Sequence, residues 1–497
     1  MRLTEQHESG AGAREAGEPA GEARRPRDLS LVGADQVVPL VDGEQRRYVN
    51  LDYAASTPAL VAVAEAVQAF LPWYSSVHRG AGFTSQVATA AYEGAREEVR
   101  GFFGARPDDT VLFTRNTTDA INLLASALPE GTHVYAFGVE HHANMLPWRH
   151  ARLEVTYLPV PASPADAMER LEDALRAEPR DGAPPGAAER PRLVAVTGAS
   201  NVTGEVWPHR KVVELAHRFG ARVLLDGAQL AAHYPIDLAA LDADYLAVSG
   251  HKMYAPYGAG ALLGRPDWLA AHDPYLYGGG AVDFVTLESV LWTQLPERQE
   301  AGSPNVLGAV AMGAACRALR EYGMARLADE EMALARYARE RIGRITGVER
   351  YGIWPDDAPR LGIVAFNLRG YPHSKLAAIL SAEHAIGVRH GCFCAHPLML
   401  HLLDVSEEEA TLVRDEIAHG HKGRIPGAVR ASMGLGTTTD DVDALATALE
   451  SIVADGPRWR YRQGPDSGEY VPDPETRTWP DLPVRLAAGP SGGGESS

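Results

Sequence analysis

The chain has 497 residues, 45% of them hydrophobic and 23% charged, which is the balance of an ordinary globular protein of two or three domains. Its formal net charge of −18 argues against a nucleic-acid partner, because phosphates attract basic surfaces. No apolar run is long enough to span a bilayer, and the first residues lack the apolar stretch of a signal peptide. We therefore expect no membrane contact.

Cysteine usage indicates a reducing compartment. The chain contains three cysteines, Cys316, Cys392 and Cys394, an odd number that does not form a framework of disulfide pairs. A cytoplasmic location is the resulting expectation. Cys392 and Cys394 are separated by one residue, whereas a structural zinc site needs four ligands at wider spacings, so we predict no metal. Cys316 lies in an apolar helical stretch and is expected to be a small buried side chain.

Both ends of the chain differ in composition from its middle. Residues 1–45 are rich in Gly, Ala, Glu and Arg and hold few large apolar side chains, which predicts a disordered leader. Residues 456–497 form a Pro- and Gly-rich tail, which we expect to lie partly over the body through four aromatic anchors, Trp459, Tyr461, Tyr470 and Trp479. Residues 180–190, RDGAPPGAAER, are typical of a surface loop.

Between these ends, short apolar segments alternate with amphipathic helical stretches. Continuous apolar strands separated by helices are typical of a parallel sheet covered on both faces. The predicted strands are TVLFT (110–114), THVYAF (132–137), RLVAVTG (192–198), ARVLLDG (221–227) and DYLAVSG (244–250). The pattern therefore predicts an α/β fold with a mainly parallel sheet flanked by helices.

The pattern changes near Asn305, where long helical segments lead into sparser strands such as GIVAFNLRG (362–370). We interpret this change as the start of a second, smaller α+β domain. The predicted organisation is a large α/β domain over residues 46–308 and a small C-terminal domain over residues 309–455. A strongly charged segment within the small domain, residues 406–427, looks helical.

Polar side chains follow the predicted strands at the points where the strands end. Because the carboxyl ends of parallel strands meet at one edge of a sheet, we expect these side chains to lie close together. Each one alone is explained by the ordinary polarity of loops. In chain order they are Thr117, Thr118, His141, Asn201, Asp226, Gln229, Ser249, His251 and Lys252.

Taken together, these side chains match what a phosphorylated pyridine aldehyde requires. Lys252 can form a Schiff base with the aldehyde, and Asp226 can keep the ring nitrogen protonated. The imidazole of His141 can lie on the face of the ring. Hydroxyls and helix N–H groups can hold the phosphate, and the candidates are Thr117, Thr118, Ser249 and His251. The sequence therefore predicts pyridoxal 5′-phosphate (PLP) as the cofactor.

Five short motifs give this set a family resemblance. They are EHHAN (140–144), SNVTGE (200–205), DGAQ (226–229), SGHKMYAP (249–256) and EAGSPN (300–305). In order and spacing they resemble the class V aminotransferase family of fold-type I PLP-dependent transferases, and most of all its cysteine desulfurase and selenocysteine lyase branch. The resemblance extends over roughly residues 48–450. It implies that the large domain binds PLP.

The resemblance also implies a role for each motif residue. Lys252 would carry the cofactor, Asp226 would pair with the pyridine nitrogen, and Gln229 would hydrogen-bond the ring hydroxyl. His141 would stack on the ring, and Asn201 would lie near the ring and the substrate.

The phosphate group has its own implied partners. Thr118, Ser249 and His251 would hold it within one subunit. Family members are homodimers in which the EAGTPN loop reaches the phosphate of the partner subunit. Here that loop reads EAGSPN, and Ser303 keeps the hydroxyl.

The segment VRHGCFCAHP (388–397) resembles the cysteine loop of the desulfurase branch, R-x-G-H-H-C-A-x-P. The residues that fit are Arg389, Gly391, Cys394, Ala395 and Pro397, whereas the two histidines are replaced by Cys392 and Phe393. The resemblance implies that Cys394 is the nucleophile. It would take sulfur from L-cysteine as a persulfide, release alanine and pass the sulfur to an acceptor protein.

Three basic side chains near Cys394 are plausible electrostatic helpers for a thiolate: Arg389, His390 and His396. Arg430 resembles the family arginine of R-x-S-x-x-x-Y-N-T that clamps the substrate carboxylate, a bidentate role suited to guanidinium. In this chain Tyr-Asn-Thr is replaced by Gly436, Thr437 and Thr438.

Several alternatives stay open from the sequence. The two neighbouring thiols could be a redox switch or two small core residues, and the role of Cys392 is not fixed. The same family contains aminotransferases, epimerases and C–S lyases that need no protein cysteine, and selenocysteine is a further substrate to weigh. Residues 406–427 could reshape the entrance for a larger substrate or a docking partner. A cofactor-free scaffold is disfavoured by the intact Lys252, Asp226 and His141.

Overall fold

The computed structural model describes residues 29–150, 152–177, 190–423, 425–464 and 467–484. Parts of four predicted segments lie outside the described residues: 1–28 of the leader, 180–189 of the surface loop, 424 of the charged segment, and 465–466 and 485–497 of the tail. None of the helices in the described ranges is long and apolar enough to cross a membrane.

The N-terminal segment packs against the rest of the protein from Leu29 onward. Leu31, Leu40 and Val41 are buried, so the predicted disordered leader is corrected for residues 29–45. The apolar side chains of the leader are concentrated in this stretch, and an average over residues 1–45 conceals them. The first elements are β1 (Val37–Pro39), β2 (Gln45–Arg47), β3 (Val49–Asn50), α1 (Val61–Phe70) and α2 (Phe83–Phe102).

A seven-stranded sheet forms the centre of the large domain. Its elements are β4 (Thr110–Thr114), α3 (Thr117–Ala127), β5 (His133–Phe137), β6 (Glu154–Leu158), α4 (Pro164–Ala177), β7 (Arg192–Thr197), α5 (His209–Arg218), β8 (Arg222–Asp226), α6 (Leu238–Leu241), β9 (Tyr245–Ser249), β10 (Gly260–Gly264) and α7 (Pro266–Ala271).

The strand order in this sheet is β4-β10-β9-β8-β7-β5-β6. Strand β10 runs antiparallel to both of its neighbours, and the other strands are parallel to one another. All five strands predicted from the sequence are present. Strands β7, β8 and β9 are completely buried apart from Arg222, as expected for strands covered by helices on both faces. The predicted fold class, a mainly parallel sheet flanked by helices, is confirmed.

The next elements complete the large domain: β11 (Val282–Val285), β12 (Val290–Trp292) and α8 (Val306–Tyr322). Helix α8 packs against α1 and α2, and its buried face, including Cys316, belongs to the core that the central sheet also enters. This core also contains side chains of the predicted small domain, among them Ile363 and Leu398, so the domain boundary at residue 308 stays a prediction. The long helical pattern beginning at Asn305 does not reveal which domain its first helix packs on.

The small domain is a four-stranded antiparallel sheet with helices. Its elements are α9 (Met324–Gly343), β13 (Val348–Tyr351), β14 (Ile363–Leu368), α10 (His373–His384), β15 (Ile386–Gly387), β16 (Arg389–Gly391), α11 (His396–Leu402), α12 (Glu407–Ala418), β17 (Ala428–Ser432) and α13 (Thr439–Asp455). The strand order is β13-β14-β17-β16, and α9 packs on α13, β13 and β14. Strand β15 pairs in parallel with β3, so the N-terminal segment joins this domain.

Two further segments flank the small domain. In the charged segment 406–427, helix α12 begins after Ser406, whose side chain accepts a hydrogen bond from the N–H of Glu409, and none of its residues is buried. The tail forms a hairpin of β18 (Tyr461–Gln463) and β19 (Tyr470–Pro472) against α10. Tyr461 donates to buried Glu383 at 2.9 Å, whereas Trp479 is 61% exposed and does not anchor the tail as predicted.

The EAGSPN segment is fixed to the large domain by its two ends. Glu300 accepts two hydrogen bonds from the guanidinium of Arg96, at 2.8 and 2.9 Å, and others from Tyr92 and the N–H of Phe113. Asn305 caps α8 by accepting from the N–H of Gly308. Both Arg96 and Glu300 are almost completely buried, so their charges depend on each other.

We expect Arg96→Met to lower the free energy of unfolding by about 3–5 kcal/mol, because Glu300 would keep a buried charge without its partner. Urea denaturation of the purified protein measures this change. The double variant Arg96→Met/Glu300→Gln removes both charges and should recover part of the loss. Arg326→Met, which breaks an exposed pair with Glu330, is the matched control and should change little. An equal fall in the free energy of unfolding for Arg96→Met and Arg326→Met would contradict the stabilising role of the buried Arg96–Glu300 pair.

Candidate active site

A cavity of about 320 Å³ opens at the carboxyl ends of the central strands, where the small domain meets the large one. The site residues predicted from the sequence line this cavity except for Ser303 and for His390 and His396, the two histidines predicted to help a thiolate. Those that line it are Thr117, Thr118, His141, Asn201, Asp226, Gln229, Ser249, His251, Lys252, Arg389, Cys394 and Arg430. The sheet order explains the convergence, because the loops that follow β4, β5, β7, β8 and β9 leave the sheet at the same edge.

Lys252 lies in a single 3₁₀ turn that directly follows β9. The carbonyl of His251 accepts hydrogen bonds from the N–H and hydroxyl of Thr57, which fix the turn. Gly250 is required at its start, since an added Cβ would lie 2.8 Å from the carbonyl oxygen of Ala259. Burial lowers the pKa of Lys252 to about 8, with the Asp226 carboxylate opposing this shift and the Arg430 guanidinium adding to it.

Asp226 ends β8 at the floor of the cavity and is 5% exposed. One of its carboxylate oxygens accepts a hydrogen bond from the N–H of Ala228 at 2.9 Å. Burial raises the pKa of Asp226, and the Ala228 N–H and Lys252 act in the opposite direction. Gln229, one turn further on, donates from Nε2 to the carbonyl of Ala54 at 2.7 Å and is itself buried.

Glu140 is a buried acid that the sequence reasoning missed, although it is the first residue of the EHHAN motif. Its carboxylate accepts from the N–H of Thr197 at 3.0 Å and from the side chain of Asn144 at 2.6 Å. Burial raises its pKa well above the usual range, and the nearby Asp226 charge adds to this shift. Its position between the β5 and β7 loops makes it a support for the cavity floor.

The N-terminus of α3 forms one end of the cavity. Asn116, which the sequence reasoning also missed, caps the helix by accepting from the N–H of Asp119 at 3.0 Å. The N–H and hydroxyl of Thr117 both lie within hydrogen-bond distance of the Ser249 hydroxyl, at 2.8 and 2.7 Å. Thr118 is exposed in the first turn. Hydroxyls and free helix N–H groups of this kind attract an anion.

Two histidines border the cavity with lowered pKa values. Burial lowers the pKa of His141 to about 3, and Lys252, His142 and Arg430 add to the shift. His141 Nδ1 accepts from the N–H of Ala143 at 3.0 Å, which fixes the ring of this neutral imidazole. Burial together with Lys252 lowers the pKa of His251 to about 4.

The loop after β16 brings Cys394 to the cavity from the small domain. Phe393 and Cys394 have φ angles of +53° and +55°, which are uncommon for residues other than glycine. Two hydrogen bonds from the large domain hold the loop: Asn201 Nδ2 donates to the carbonyl of Phe393 at 2.7 Å, and the N–H of His142 donates to the carbonyl of Cys394 at 2.8 Å. The Cys394 side chain is exposed.

Arg430, on β17, is 3% exposed and faces the same cavity. It donates to the carbonyl of Asn201 at 2.7 Å and to Asp52 at 3.3 Å. Its Nε is buried with no hydrogen-bond partner in the part of the chain that the structure describes. Burial lowers the pKa of Arg430 to about 10, so it stays charged at neutral pH. The guanidinium carbon lies 4.9 Å from the ring centroid of Phe393.

Asp52 links the two arginines of the cavity and is a further residue that the sequence reasoning missed. Its second carboxylate oxygen pairs with Arg389 at 3.0 Å. The Arg389 side chain is 52% exposed, so it lies at the rim, whereas Arg430 lies inside. Nothing in the local sequence around Asp52 marks it, because its partners are more than 300 positions away.

Ser303 lies apart from this cavity. It lines a second, open cavity of about 590 Å³ together with Tyr74, His78, Arg79 and Gly279. The structure of one subunit therefore does not bring Ser303 to the other predicted site residues.

Comparisons with known proteins identify the family of this chain. The family profile described as Aminotransferase class-V matches residues 49–445. A probable cysteine desulfurase from Halalkalibacterium halodurans is 37% identical over 413 residues, which are 81% of this chain and 92% of the relative. A cysteine desulfurase from Klebsiella pneumoniae is 34% identical over 420 residues, 83% of this chain and 94% of the relative.

Solved structures that resemble this chain belong to the same family. The cysteine desulfurase CsdA from Escherichia coli, in an S-sulfonic acid form, has a TM-score of 0.67 and 32% identity, covering 82% of this chain and 94% of its own. The apo cysteine desulfurase from Thermococcus onnurineus has a TM-score of 0.69 and 30% identity with the same coverage. The family predicted from the short motifs is thus confirmed: the chain belongs to the class-V aminotransferase family of fold-type I PLP enzymes.

Proposed function

We propose that this chain is a PLP-dependent cysteine desulfurase that takes sulfur from L-cysteine, releases alanine and holds the sulfur as a persulfide on Cys394. One observation carries the proposal: the exposed thiol of Cys394 lies in the same cavity as Lys252 and Arg430. The relatives named cysteine desulfurase, at 34–37% identity over most of the chain, support the same activity. The persulfide would pass to an acceptor, a sulfur-accepting protein being the expected partner.

The side chains of the cavity fit PLP in chemical type. Lys252 would hold it covalently through Nζ, and Asp226 would face the ring nitrogen, because a buried carboxyl with one N–H partner favours a nearby cation. His141 would lie against the ring, and Gln229 near its hydroxyl. When bound, PLP supplies an electron sink that weakens the bonds at the α-carbon of the substrate.

The phosphate end of the cofactor would lie at the first turn of α3. Thr117, Thr118, Ser249 and His251 are the predicted partners, and Asn116 supports them by capping the helix. Helix N–H groups and hydroxyls are neutral donors, so they can hold a doubly charged phosphate without adding buried cations.

Substrate orientation falls to Arg430 in this proposal. Its Nε is buried and has no hydrogen-bond partner among the described residues, and a carboxylate is the ligand that satisfies guanidinium donors best. The hydrogen bonds from Arg430 to Asn201 and Asp52 fix the direction of the guanidinium. Arg389, at the rim, adds positive charge at the entrance. Asn201 is the third predicted substrate contact.

Lys252 and Cys394 would then perform the proton and sulfur steps. Nζ of Lys252 accepts the proton from the substrate α-carbon, a task suited to an amine whose pKa is near 8. Sγ of Cys394, as a thiolate, attacks the substrate sulfur, and the Cβ–S bond breaks. The electron pair of that bond remains with the carbon skeleton, which is protonated and leaves as alanine.

We also propose a homodimer. The hairpin of β11 and β12 and the segment around Phe83 expose large apolar side chains next to the cavity that contains Ser303; they are Phe83, Tyr277, Phe284, Leu287 and Leu291. Arg79, four residues before Phe83, donates to the carbonyl of Val282 in β11 at 3.0 Å, so the two segments are neighbours. Exposed large apolar side chains on neighbouring segments are typical of a subunit interface. Burial of this face against a second copy would allow Ser303 to reach the phosphate of the partner's site. The free thiols are in keeping with a cytoplasmic enzyme.

We expect Cys394→Ser to lower alanine release from L-cysteine by at least roughly 100-fold, because a hydroxyl is a far weaker nucleophile toward sulfur than a thiolate. The visible absorbance of the bound cofactor should remain, since Lys252 is unchanged. Cys316→Ala, at a buried cysteine in α8, is the matched control and should keep wild-type turnover. Alanine formation at the wild-type rate by Cys394→Ser would exclude the persulfide step. Pyruvate as product would indicate a C–S lyase, and a racemised amino acid an epimerase.

We expect Arg430→Lys to raise the KM for L-cysteine by roughly 10- to 100-fold, because a charged hydrogen bond contributes about 1.5–3 kcal/mol. Steady-state kinetics measure this change. Inhibition by cysteamine, which has the amine and thiol of cysteine but no carboxylate, should weaken far less. Arg369→Lys, at an exposed arginine of the small domain, is the control. An equal loss of affinity for L-cysteine and for cysteamine would point to a structural role for Arg430.

The lowered pKa of Lys252 predicts how the apo protein takes up PLP. The free amine is the reactive form, so the initial rate of uptake should rise with pH and level off above about 8, whereas an ordinary lysine would continue to gain up to its pKa of 10.5. Asp226→Asn should shift the midpoint to lower pH, because the carboxylate stabilises the protonated amine. Stopped-flow absorbance measures both profiles. A midpoint near 10 would disprove the effect of burial.

A further inference from the structure

Cys392 and Cys394 occupy the first and third positions of one tight turn. The N–H of Ala395 donates to the carbonyl of Cys392 at 2.9 Å, which closes a β-turn over residues 392–395. Both central residues, Phe393 and Cys394, have positive φ, as in a type I′ turn, where glycine and asparagine are usual. A phenylalanine in this conformation is strained, so the surrounding structure must impose it.

Contacts on both sides of the turn impose this conformation. The Phe393 ring is buried under the guanidinium of Arg430, and its carbonyl accepts from Asn201. The carbonyl of Cys394 accepts from the N–H of His142. Because these partners belong to other elements, the turn persists whether or not the two thiols interact.

A turn shortens the distance between the two cysteines. Two residues of extended chain span roughly 6.6–7.2 Å between Cα atoms, which is beyond the most common disulfide separation of about 5.5–6 Å. The reversal of the chain at Phe393 reduces this span. Both side chains are free thiols, so no disulfide already occupies the turn.

The two thiols have different surroundings. Cys394 lines the cavity, whereas Cys392 is absent from its lining and packs, half-buried, against the hydrophobic core beside it. A persulfide on Cys394 would receive its outer sulfur from the substrate, on the cavity side. Attack on a sulfur atom proceeds in line with the bond that breaks. A resolving thiol would therefore have to approach Sγ of Cys394 opposite to the outer sulfur, and Cys392 is the thiol that does not line the cavity.

We propose that Cys392 resolves the Cys394 persulfide by forming a Cys392–Cys394 disulfide and releasing hydrosulfide, an inference that rests on the proposed desulfurase function. The Cys392 thiol loses its proton, and its sulfur attacks Sγ of Cys394. The bond between Sγ and the outer sulfur breaks, and its electron pair leaves with the outer sulfur as HS⁻. The two cysteines are oxidised to the disulfide, and the outer sulfur is reduced to sulfide.

This step makes Cys392 a second catalytic cysteine and changes what the enzyme needs for turnover. Once Cys394 is in the disulfide it is no longer a nucleophile. Each cycle therefore requires a thiol reductant that reduces the disulfide. A low-molecular-weight thiol or a dithiol protein is the required class of co-reactant. The product available to the next reaction is then free hydrosulfide, in addition to the persulfide that an acceptor can intercept.

The test is a single turnover of the PLP-loaded enzyme with one equivalent of L-cysteine and no added reductant. Alanine and hydrosulfide are quantified, and the peptide containing residues 388–397 is analysed by mass spectrometry after alkylation of free thiols. In wild type we expect hydrosulfide in step with alanine, and a peptide that lacks two hydrogens and resists alkylation. In Cys392→Ser and Cys392→Ala we expect at least roughly tenfold less hydrosulfide per alanine and an extra sulfur retained on Cys394.

The outcomes distinguish the resolving role of Cys392 from the desulfurase function of the enzyme. Alanine release with the extra sulfur kept on Cys394 in both wild type and Cys392→Ser would overturn the resolving role and leave the desulfurase function intact. An extra sulfur found on Cys392 would overturn it too, in favour of sulfur relay. Absence of alanine from wild type would instead overturn the desulfurase function. Cys316→Ala, the matched control, should reproduce the wild-type products.

Discussion

Lys252 and Asp226 share one solvent-poor cavity, and the order of the strands brings them there. Strands β8 and β9 are parallel neighbours, so the aspartate that ends β8 and the lysine just after β9 leave the sheet at the same edge. Burial disfavours the charge on each, lowering the pKa of Lys252 and raising that of Asp226. Each charge in turn favours the other. The amine is therefore reactive near neutral pH without a dedicated base beside it.

Asn201 connects Arg430 to the cysteine loop. Its carbonyl accepts from Arg430, and its side chain donates to the Phe393 carbonyl, so one residue after β7 orients both parts of the small domain.

Phe393 and Cys394, the two non-glycine residues with positive φ in the cysteine loop, cost about 1–3 kcal/mol each. Three hydrogen bonds at about 0.5–1.5 kcal/mol each, with the cation–π contact of Arg430 at about 0.5–2 kcal/mol, offset most of that cost.

Local sequence patterns were enough to predict the strands of the sheet and most residues of the cavity, because apolar strands and the polar residues after them are contiguous in sequence. The missed features depend on distant partners. Asp52 gains its role only when β16 and β17 place two arginines beside it. Glu140 stood inside a recognised motif, but its burial follows from packing of the β5 and β7 loops. Helical periodicity at α8 likewise does not specify which core receives its apolar face, so the domain boundary stays a prediction.

The replacement of two histidines by Cys392 and Phe393 changes the cysteine loop in two linked ways. The aromatic ring of Phe393 gives Arg430 a surface to pack on, which fixes the turn. The thiol of Cys392 takes the position two residues before the nucleophile. An acceptor protein and Cys392 would then compete for one persulfide. The acceptor must reach the outer sulfur through the cavity mouth, whereas Cys392 belongs to the same turn as Cys394, so its attack is intramolecular and has a high effective concentration. The internal thiol therefore prevails unless the acceptor is already docked, and sulfur leaves as hydrosulfide whenever reducing thiols are available to reopen the disulfide.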